Sequence, residues 1–478
     1  MSKQISPFKR ILSTLISSAV IISCIPSVSA AKSETADAAV SAMTAGWNLG
    51  NTLDSCGEWI GLYTQGLPSD YETAWGNPIT QKKMITAVKN AGFNSVRVPV
   101  TWSEHIDDKG NIDKKWLDRV QETVDYVISQ DMYCILNVHH DAGSDGWLEA
   151  SEECYKKSSG KFEGLWNNIA VRFKNYDDKL IFESFNEILD KHNSWTDAKD
   201  QNAYTAVDKF NQLFVDTVRK TGGNNSDRNL MLQVYSGSCS EKSLKNFTLP
   251  TDSVKDHLIV QVHNYDPQGF TAAEVSWAKM TDQWGSASDK SAFDKLFARL
   301  GKYSEQLDVP FVVGEFGAEY KDNDSERAEY AEYFVSKAAE YGIKCFWWDV
   351  GNMAVIDRKT CKVSHPQVAD ALTADYEKKA AAKTADTETK KQYTTKAVSG
   401  KGKIKLTWTA CDDADAYRIY QYDKKTGKFL RIATVKGTSY TVKNLKKGSY
   451  KFKIAAASKT KSGYKNIILF DSLTAKAN

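Results

Sequence analysis

Between residues 45 and 348 the apolar positions follow two alternating rhythms. Short, nearly unbroken apolar runs recur at Ala45–Leu49, Ser95–Val100, Tyr133–His139, Leu180–Phe185, Leu230–Tyr235, Leu258–His263, Phe311–Glu315 and Lys344–Trp348. Such runs mark strands buried on both faces. Between them the spacing changes to three and four. Met84, Ile85, Val88 and Ala91 share one helical face before Gly92, as do Trp116, Val120, Val124 and Val127, and the stretch Arg327–Tyr341 ends at Gly342. Eight strand–helix units predict an α/β fold with a parallel sheet closed into a TIM (β/α)8 barrel. The competing arrangement, an open doubly wound sheet, calls for a Gly-rich phosphate turn after the first strand, and none follows it.

The rhythm breaks after Ala374. Residues 377–391 (EKKAAAKTADTETKK) are low in complexity, and a linker is expected over 376–394. From Thr395 the pattern becomes short alternation: Ile404/Leu406/Trp408, Tyr417/Ile419 and Tyr450/Phe452/Ile454, with turn residues at 423–427, 436–437 and 447–448. That predicts a small C-terminal all-β sandwich over 395–478, with Trp408 on the inward phase. The segment Tyr440–Tyr450 resembles the tyrosine corner of a fibronectin type III module.

Composition adds three things. Thirty residues at the start read as a secretory signal peptide: Lys3, Lys9 and Arg10, then apolar Ile11–Ile25, then Val28-Ser-Ala30. A secreted, extracellular protein follows, its barrel domain spanning 31–375. Lipoprotein anchoring through Cys24 is the alternative, because Ile21-Ile-Ser-Cys24 loosely resembles a lipoprotein cleavage site. Beyond Cys24 seven scattered cysteines remain, an odd set without disulfide-framework or metal spacing. The overall charge of +3 conceals a division. Residues 395–478 carry 19 Lys and Arg against 5 Asp, a net +14, which leaves residues 31–394 at −14. The basic module suits association with anionic cell-wall polymers. It lacks an aromatic-interleaved groove, and no nucleic-acid partner is expected.

Chemistry in such a barrel sits where the strands end. Those ends carry Asn48, Arg97, His139, His140, Asn186, Glu187, His263, Tyr265, Glu315 and Trp348. Two of them are carboxylic acids, Glu187 and Glu315, closing two buried strands. Paired carboxyls suit a reaction that needs a proton donor and a nucleophile on opposite sides of one bond. An Arg97 guanidinium and a Tyr265 hydroxyl beside Glu315 would keep it ionised and oriented. His263 is placed to influence the protonation of Glu187. The Asn186 amide suits a sugar 2-hydroxyl, and Trp348 a sugar face. Further tryptophans at 59, 75, 147, 195, 277 and 284 fall in loop-like segments and suit an extended polysaccharide cleft. His139-His140-Asp141 raises a metal site. Alternation along a strand sends the two imidazoles to opposite faces, which argues against one.

With those residues placed, the chain resembles glycoside hydrolase family 5, of the large clan of retaining barrel enzymes, and within it the secreted bacterial endoglucanases. The pieces are Gly46-Trp-Asn-Leu-Gly-Asn-Thr-Leu-Asp54, Glu72-Thr-Ala-Trp-Gly-Asn-Pro78, Val96-Arg-Val-Pro-Val100, Asn137-Val-His-His-Asp141, Phe185-Asn-Glu187, Val262-His-Asn-Tyr265, Gly314-Glu-Phe-Gly317 and Phe346-Trp-Trp-Asp349. They span about residues 42–374 in order. The resemblance implies an endo-β-1,4-glucanase (cellulase), active as a monomer without metal or cofactor. Glu187 would be its acid/base and Glu315 its nucleophile. Arg97, His139, Asn186, His263, Tyr265 and Trp348 would complete the set, with His140 alongside. Two positions depart from the family pattern, Ile188 where Pro is common and Val350 where Asn is. Both bear on cleft loops, and so on the choice among cellulose, xyloglucan, mixed-linkage glucan, xylan and mannan.

Overall fold

The computed structural model describes residues 33–374 except 144–145, residue 376, and residues 394–478 except 412–413, 425, 427, 461–462 and 471. The expected signal peptide and, apart from Tyr376 and Thr394, the expected linker lie outside them. The chain divides into two compact units between Ala374 and Asp375.

In the first unit eight parallel strands close into a barrel in sequential order. They are β1 (Gly46–Asn48), β2 (Ser95–Val98), β3 (Tyr133–Asn137), β4 (Leu180–Glu183), β5 (Leu230–Gln233), β6 (Leu258–His263), β7 (Phe311–Phe316) and β8 (Lys344–Trp348). The alternation read from the sequence is therefore a (β/α)8 barrel, with β1 to β5 shorter than their apolar runs. Helices such as Lys82–Asn90, Lys114–Ile128 and Asp324–Ala339 carry the predicted three-and-four spacing, with Met84, Ile85, Val88, Trp116, Val120, Val124 and Val127 buried.

The barrel interior changes character along its axis. At the N-terminal end Ile135, Ile181, Met231, Ile259, Val312 and Phe346 form an apolar layer, which the short helix Ala36–Ala42 closes with Ala36, Ala39 and Val40. Gly46 is required here: a Cβ would lie 2.1 Å from the Phe346 ring. Toward the C-terminal end the interior becomes polar, with Asn48, Arg97, Asn137, Glu183 and Gln233 all fully buried. Burying that many polar groups is tolerable only if they satisfy one another. The apolar end holds the barrel together, and the polar end aims the side chains that face the cleft.

The second unit is all-β. One sheet pairs Thr395–Gly400, Lys403–Trp408 and Ser439–Lys443, and a second is built on Ala416–Asp423 and Gly448–Thr460. Ile404, Leu406, Trp408, Tyr417, Ile419, Phe452 and Ile454 form its core, so the inward phase read for Trp408 is the one adopted. The Tyr450 hydroxyl donates to the Lys446 carbonyl at 2.9 Å, the local bond that defines a tyrosine corner.

Candidate active site

Arg97, projecting from β2 into the barrel, is the hub of the polar end. Its Nε and Nη2 donate to the two oxygens of Glu183 at 2.6 and 2.7 Å, and its Nη1 donates to Glu315 Oε1 at 2.7 Å. The remaining N–H bonds go to Asn48 Oδ1 (3.1 Å) and Asn186 Oδ1 (2.9 Å). All five guanidinium donors are used. Burial disfavours the charge on Arg97, but Glu183 and Glu315 more than restore it, so its pKa is pushed further up.

Glu315, near the end of β7, is 5% exposed. Its second oxygen accepts the Tyr265 hydroxyl at 2.9 Å. Burial, then the neighbouring carboxylates, hold the Tyr265 phenol well above its ordinary pKa, so it remains a donor. Glu187 follows β4 by four residues and has a left-handed φ of 41°, which turns it out of the strand line. Its side chain is 21% exposed, and Oε1 lies 2.7 Å from His263 Nδ1. His263 Nδ1 is also 3.7 Å from Glu315 Oε1. Carboxyl oxygens of Glu187 and Glu315 lie within 4.8 Å of each other. That is the close spacing of a nucleophile and an acid/base, about 5 Å, and leaves no room for the water that an inverting pair needs.

Two of the expected substrate contacts need correcting. Asn48 and Arg97 are fully buried and cannot touch a sugar. Asn48 Nδ2 donates to the Gly314 carbonyl at 3.0 Å while its Oδ1 serves Arg97, so both residues act on Glu315. Asn186 does face the cleft. Arg97 holds its oxygen and thereby points its NH2 outward. Trp348 closes β8 half-buried, its ring parallel to that of His139 at 5.6 Å and 10°.

His139 and His140 do not diverge as alternation implied. β3 ends at Asn137, and beyond it the chain no longer follows a strand. The two rings are 4.5 Å apart, and both Nε2 atoms approach Asp54 Oδ2, at 4.0 and 3.6 Å. These three side chains have the composition of a metal site. The hydrogen bond at the other His139 nitrogen argues against one. Asn137 Oδ1 accepts the Val100 N–H at 3.1 Å, so its Nδ2 is the group that donates to His139 Nδ1, also at 3.1 Å. Nε2 then carries the proton, whereas a metal-bound histidine donates from its far nitrogen. That N–H, at a ring buried and held well below its ordinary pKa, suits a sugar hydroxyl.

Two basins of about 930 and 880 Å³ meet at Glu187 and Trp195. Trp59 and Trp75 line the first and Trp277 the second. Trp147 and Trp284 turn away from the groove. Trp147 donates to Asp141 at 2.7 Å, and Trp284 is buried against Phe293 and Tyr330.

Residues 55–354 match the family model described as cellulase (glycosyl hydrolase family 5). The chain belongs to glycosyl hydrolase family 5. Among relatives of this family 5 chain, endoglucanase A of Clostridium longisporum is 38% identical over 375 residues, covering 76% of this chain and 70% of its own. A xyloglucan-specific endo-β-1,4-glucanase of Bacteroides ovatus is 32% identical over 339 residues, 66% of each chain. The structure of a broad-specificity endoglucanase from Ruminococcus champanellensis with bound cellotriose superposes with a TM-score of 0.66 at 37% identity, covering 71% of this chain and 98% of that one. The first unit is therefore a glycoside hydrolase domain acting on a polysaccharide.

Sequence reading missed two residues of this family 5 site, Glu183 and Gln233. Each is a polar side chain inside an apolar strand, Leu180-Ile-Phe-Glu183 and Leu230-Met-Leu-Gln233. A carboxylate on a doubly buried strand requires a cation, and Arg97 was already in hand.

Proposed function

We propose that the protein is a retaining endo-β-1,4-glucanase acting on cellulose and related β-glucans by double displacement. One observation carries this reading. Glu315 and Glu187 approach within 4.8 Å, the first tied to a guanidinium and a phenol, the second bonded by a histidine. Glu315 attacks the anomeric carbon while Glu187 gives its proton to the departing oxygen. Glu187, now a carboxylate, takes a proton from water, whose oxygen displaces Glu315 from the glycosyl-enzyme. Basins on both sides of the acids seat sugars on both sides of the bond, which suits cleavage within a chain. Cellopentaose hydrolysis followed by proton NMR should release the β anomer first. Initial release of the α anomer would rule out double displacement.

Xyloglucan is the second substrate reading, favoured by the breadth of the two basins and by the Bacteroides ovatus relative. Comparable rates on xyloglucan and carboxymethylcellulose would place the protein with broad-specificity enzymes.

The chain is further proposed to be exported, to act as a monomer, and to associate with anionic wall polymers through its basic module. Full-length protein should bind wall fragments at low salt and release as the ionic strength rises. Retention at high salt would point to a sugar-specific contact instead.

A further inference from the structure

Gln233 lies inside the barrel at the end of β5, fully buried, and touches the acid/base side of the cleft twice. Its Oε1 accepts the backbone N–H of Glu187. An amide has one accepting and one donating end, so this bond decides what the other end does. Gln233 Nε2 is 3.3 Å from His263 Nε2 and can only donate to it. His263 Nε2 is then the lone-pair nitrogen, and the proton sits on Nδ1, 2.7 Å from Glu187 Oε1. We infer that Gln233 is a positioning residue for the acid/base: it grips the Glu187 backbone with one end of its amide and, with the other, holds His263 as the neutral Nδ1–H tautomer that donates to the Glu187 carboxyl.

The surrounding charges set up a contest that Gln233 decides. Glu187 after β4 and Glu315 on β7 favour an imidazolium, whereas burial and Arg97 on β2 oppose it. His139, beyond β3, is a further titratable neighbour. Cys239 Sγ donates to the His263 carbonyl at 3.1 Å and not to the ring. The carboxylates win on electrostatics and push the His263 pKa up. Yet a second proton would have to sit on Nε2, facing the Gln233 NH2, donor against donor. Chemically this matters in the first step. An imidazolium against Glu187 would hold it as a carboxylate and deprive the first step of its proton. A neutral N–H bound to Oε1 leaves Oε2 to carry the proton toward the departing oxygen.

The inference rests on Glu187 being the acid/base, and the test separates the two claims. Full-length protein labelled with 15N-histidine, with His263 assigned by loss of its signals in His263→Gln, reports the tautomer directly. At about pH 8, above the unperturbed histidine pKa of about 6.5, Nδ1 should read as protonated and Nε2 as a lone-pair nitrogen. In Gln233→Glu the introduced carboxylate accepts from Nε2, and both nitrogens should read as protonated. That variant should lose roughly tenfold or more in kcat/KM on carboxymethylcellulose, with the alkaline limb of its pH profile moved to lower pH. Hydrolysis of 2,4-dinitrophenyl β-cellobioside, whose leaving group needs no proton, should change by less than about threefold. An imidazolium or an Nε2–H tautomer in the parent protein overturns the inference, and this reading does not depend on Gln233→Glu folding. Equal losses on both substrates with an unmoved alkaline limb also overturn it, leaving Gln233 a structural residue. Full polysaccharide activity in Glu187→Gln would instead sink the acid/base assignment while leaving the measured tautomer standing.

Discussion

The two glutamates meet across one cleft, yet their surroundings are built on opposite plans. Around Glu315 everything is fixed. Both oxygens are tied, to Arg97 and to Tyr265, Arg97 is itself pinned by Glu183 and Asn48, and almost no surface is exposed. Around Glu187 much is left open. One oxygen meets a histidine, a fifth of the side chain is exposed, and the backbone has already left the strand. A nucleophile must stay ionised and aimed, whereas an acid/base must gain and lose a proton within one turnover. Rigidity serves the first task, and access to protons serves the second.

The largest effect should come from removing the nucleophile. Glu315→Gln should lower kcat by about 10⁴-fold or more on every substrate, with the fold intact by circular dichroism. Near-normal turnover would end the assignment. Glu187→Gln should separate substrates instead. Loss on polysaccharide should be about 10²–10⁴-fold, while the dinitrophenyl cellobioside, with its good leaving group, should still form the glycosyl-enzyme. If both variants behaved alike, the contrast between the two sites would be wrong.

Arg97→Met probes the rigid side through stability. Arg97 neutralises two buried carboxylates, and removing it strands Glu183 and Glu315 without a cation. The cost should be about 3–5 kcal/mol, read as a shift in the urea midpoint. A change under about 1 kcal/mol would mean that Arg97 is not the hub its five hydrogen bonds make it.

How much of this was readable from the chain follows the same division. The barrel was legible because doubly buried strands and amphipathic helices leave different periods in the sequence. Glu187, Glu315 and Tyr265 were legible because polar residues at the close of apolar runs are unusual, and Arg97 because a cation inside such a run is. Registry across strands leaves no such trace. Asn48 reads like a cleft residue, and only the closed barrel brings its oxygen to Arg97 and its NH2 to Gly314. The pairing of His139 and His140 over Asp54 depends on where β3 stops, which alternation cannot locate. Trp284 and Trp195 both occupy loop-like stretches with similar local composition. Which one packs against Phe293 and which one lines the groove is decided by residues far away in sequence.

Tyr265→Phe tests whether the fixed side contributes rate without pH dependence. The phenol is held protonated well above its ordinary range, so it donates to Glu315 equally at acid and neutral pH. Its loss should lower kcat/KM by roughly ten- to a hundredfold, consistent with one charge-assisted hydrogen bond of about 1.5–3 kcal/mol. The alkaline limb of the pH–rate profile should stay in place. A moved alkaline limb would mean that Tyr265 takes part in proton transfer, and the division between the two sides would blur.

The smallest effect should come from the groove wall. Trp195 is 59% exposed and belongs to both basins, so a bound chain should cross it on its way past the acids. Stacking of an aromatic ring on a sugar face is worth about 1 kcal/mol. Trp195→Ala should therefore raise KM on long substrates about fivefold. Because the ring binds ground state and transition state alike, kcat should hardly change. Neither limb of the pH profile should move, since no proton passes near an indole face. A fall in kcat instead of a rise in KM would mean that Trp195 helps place the scissile bond between the glutamates. The groove would then belong to the aiming machinery and not simply to the binding surface.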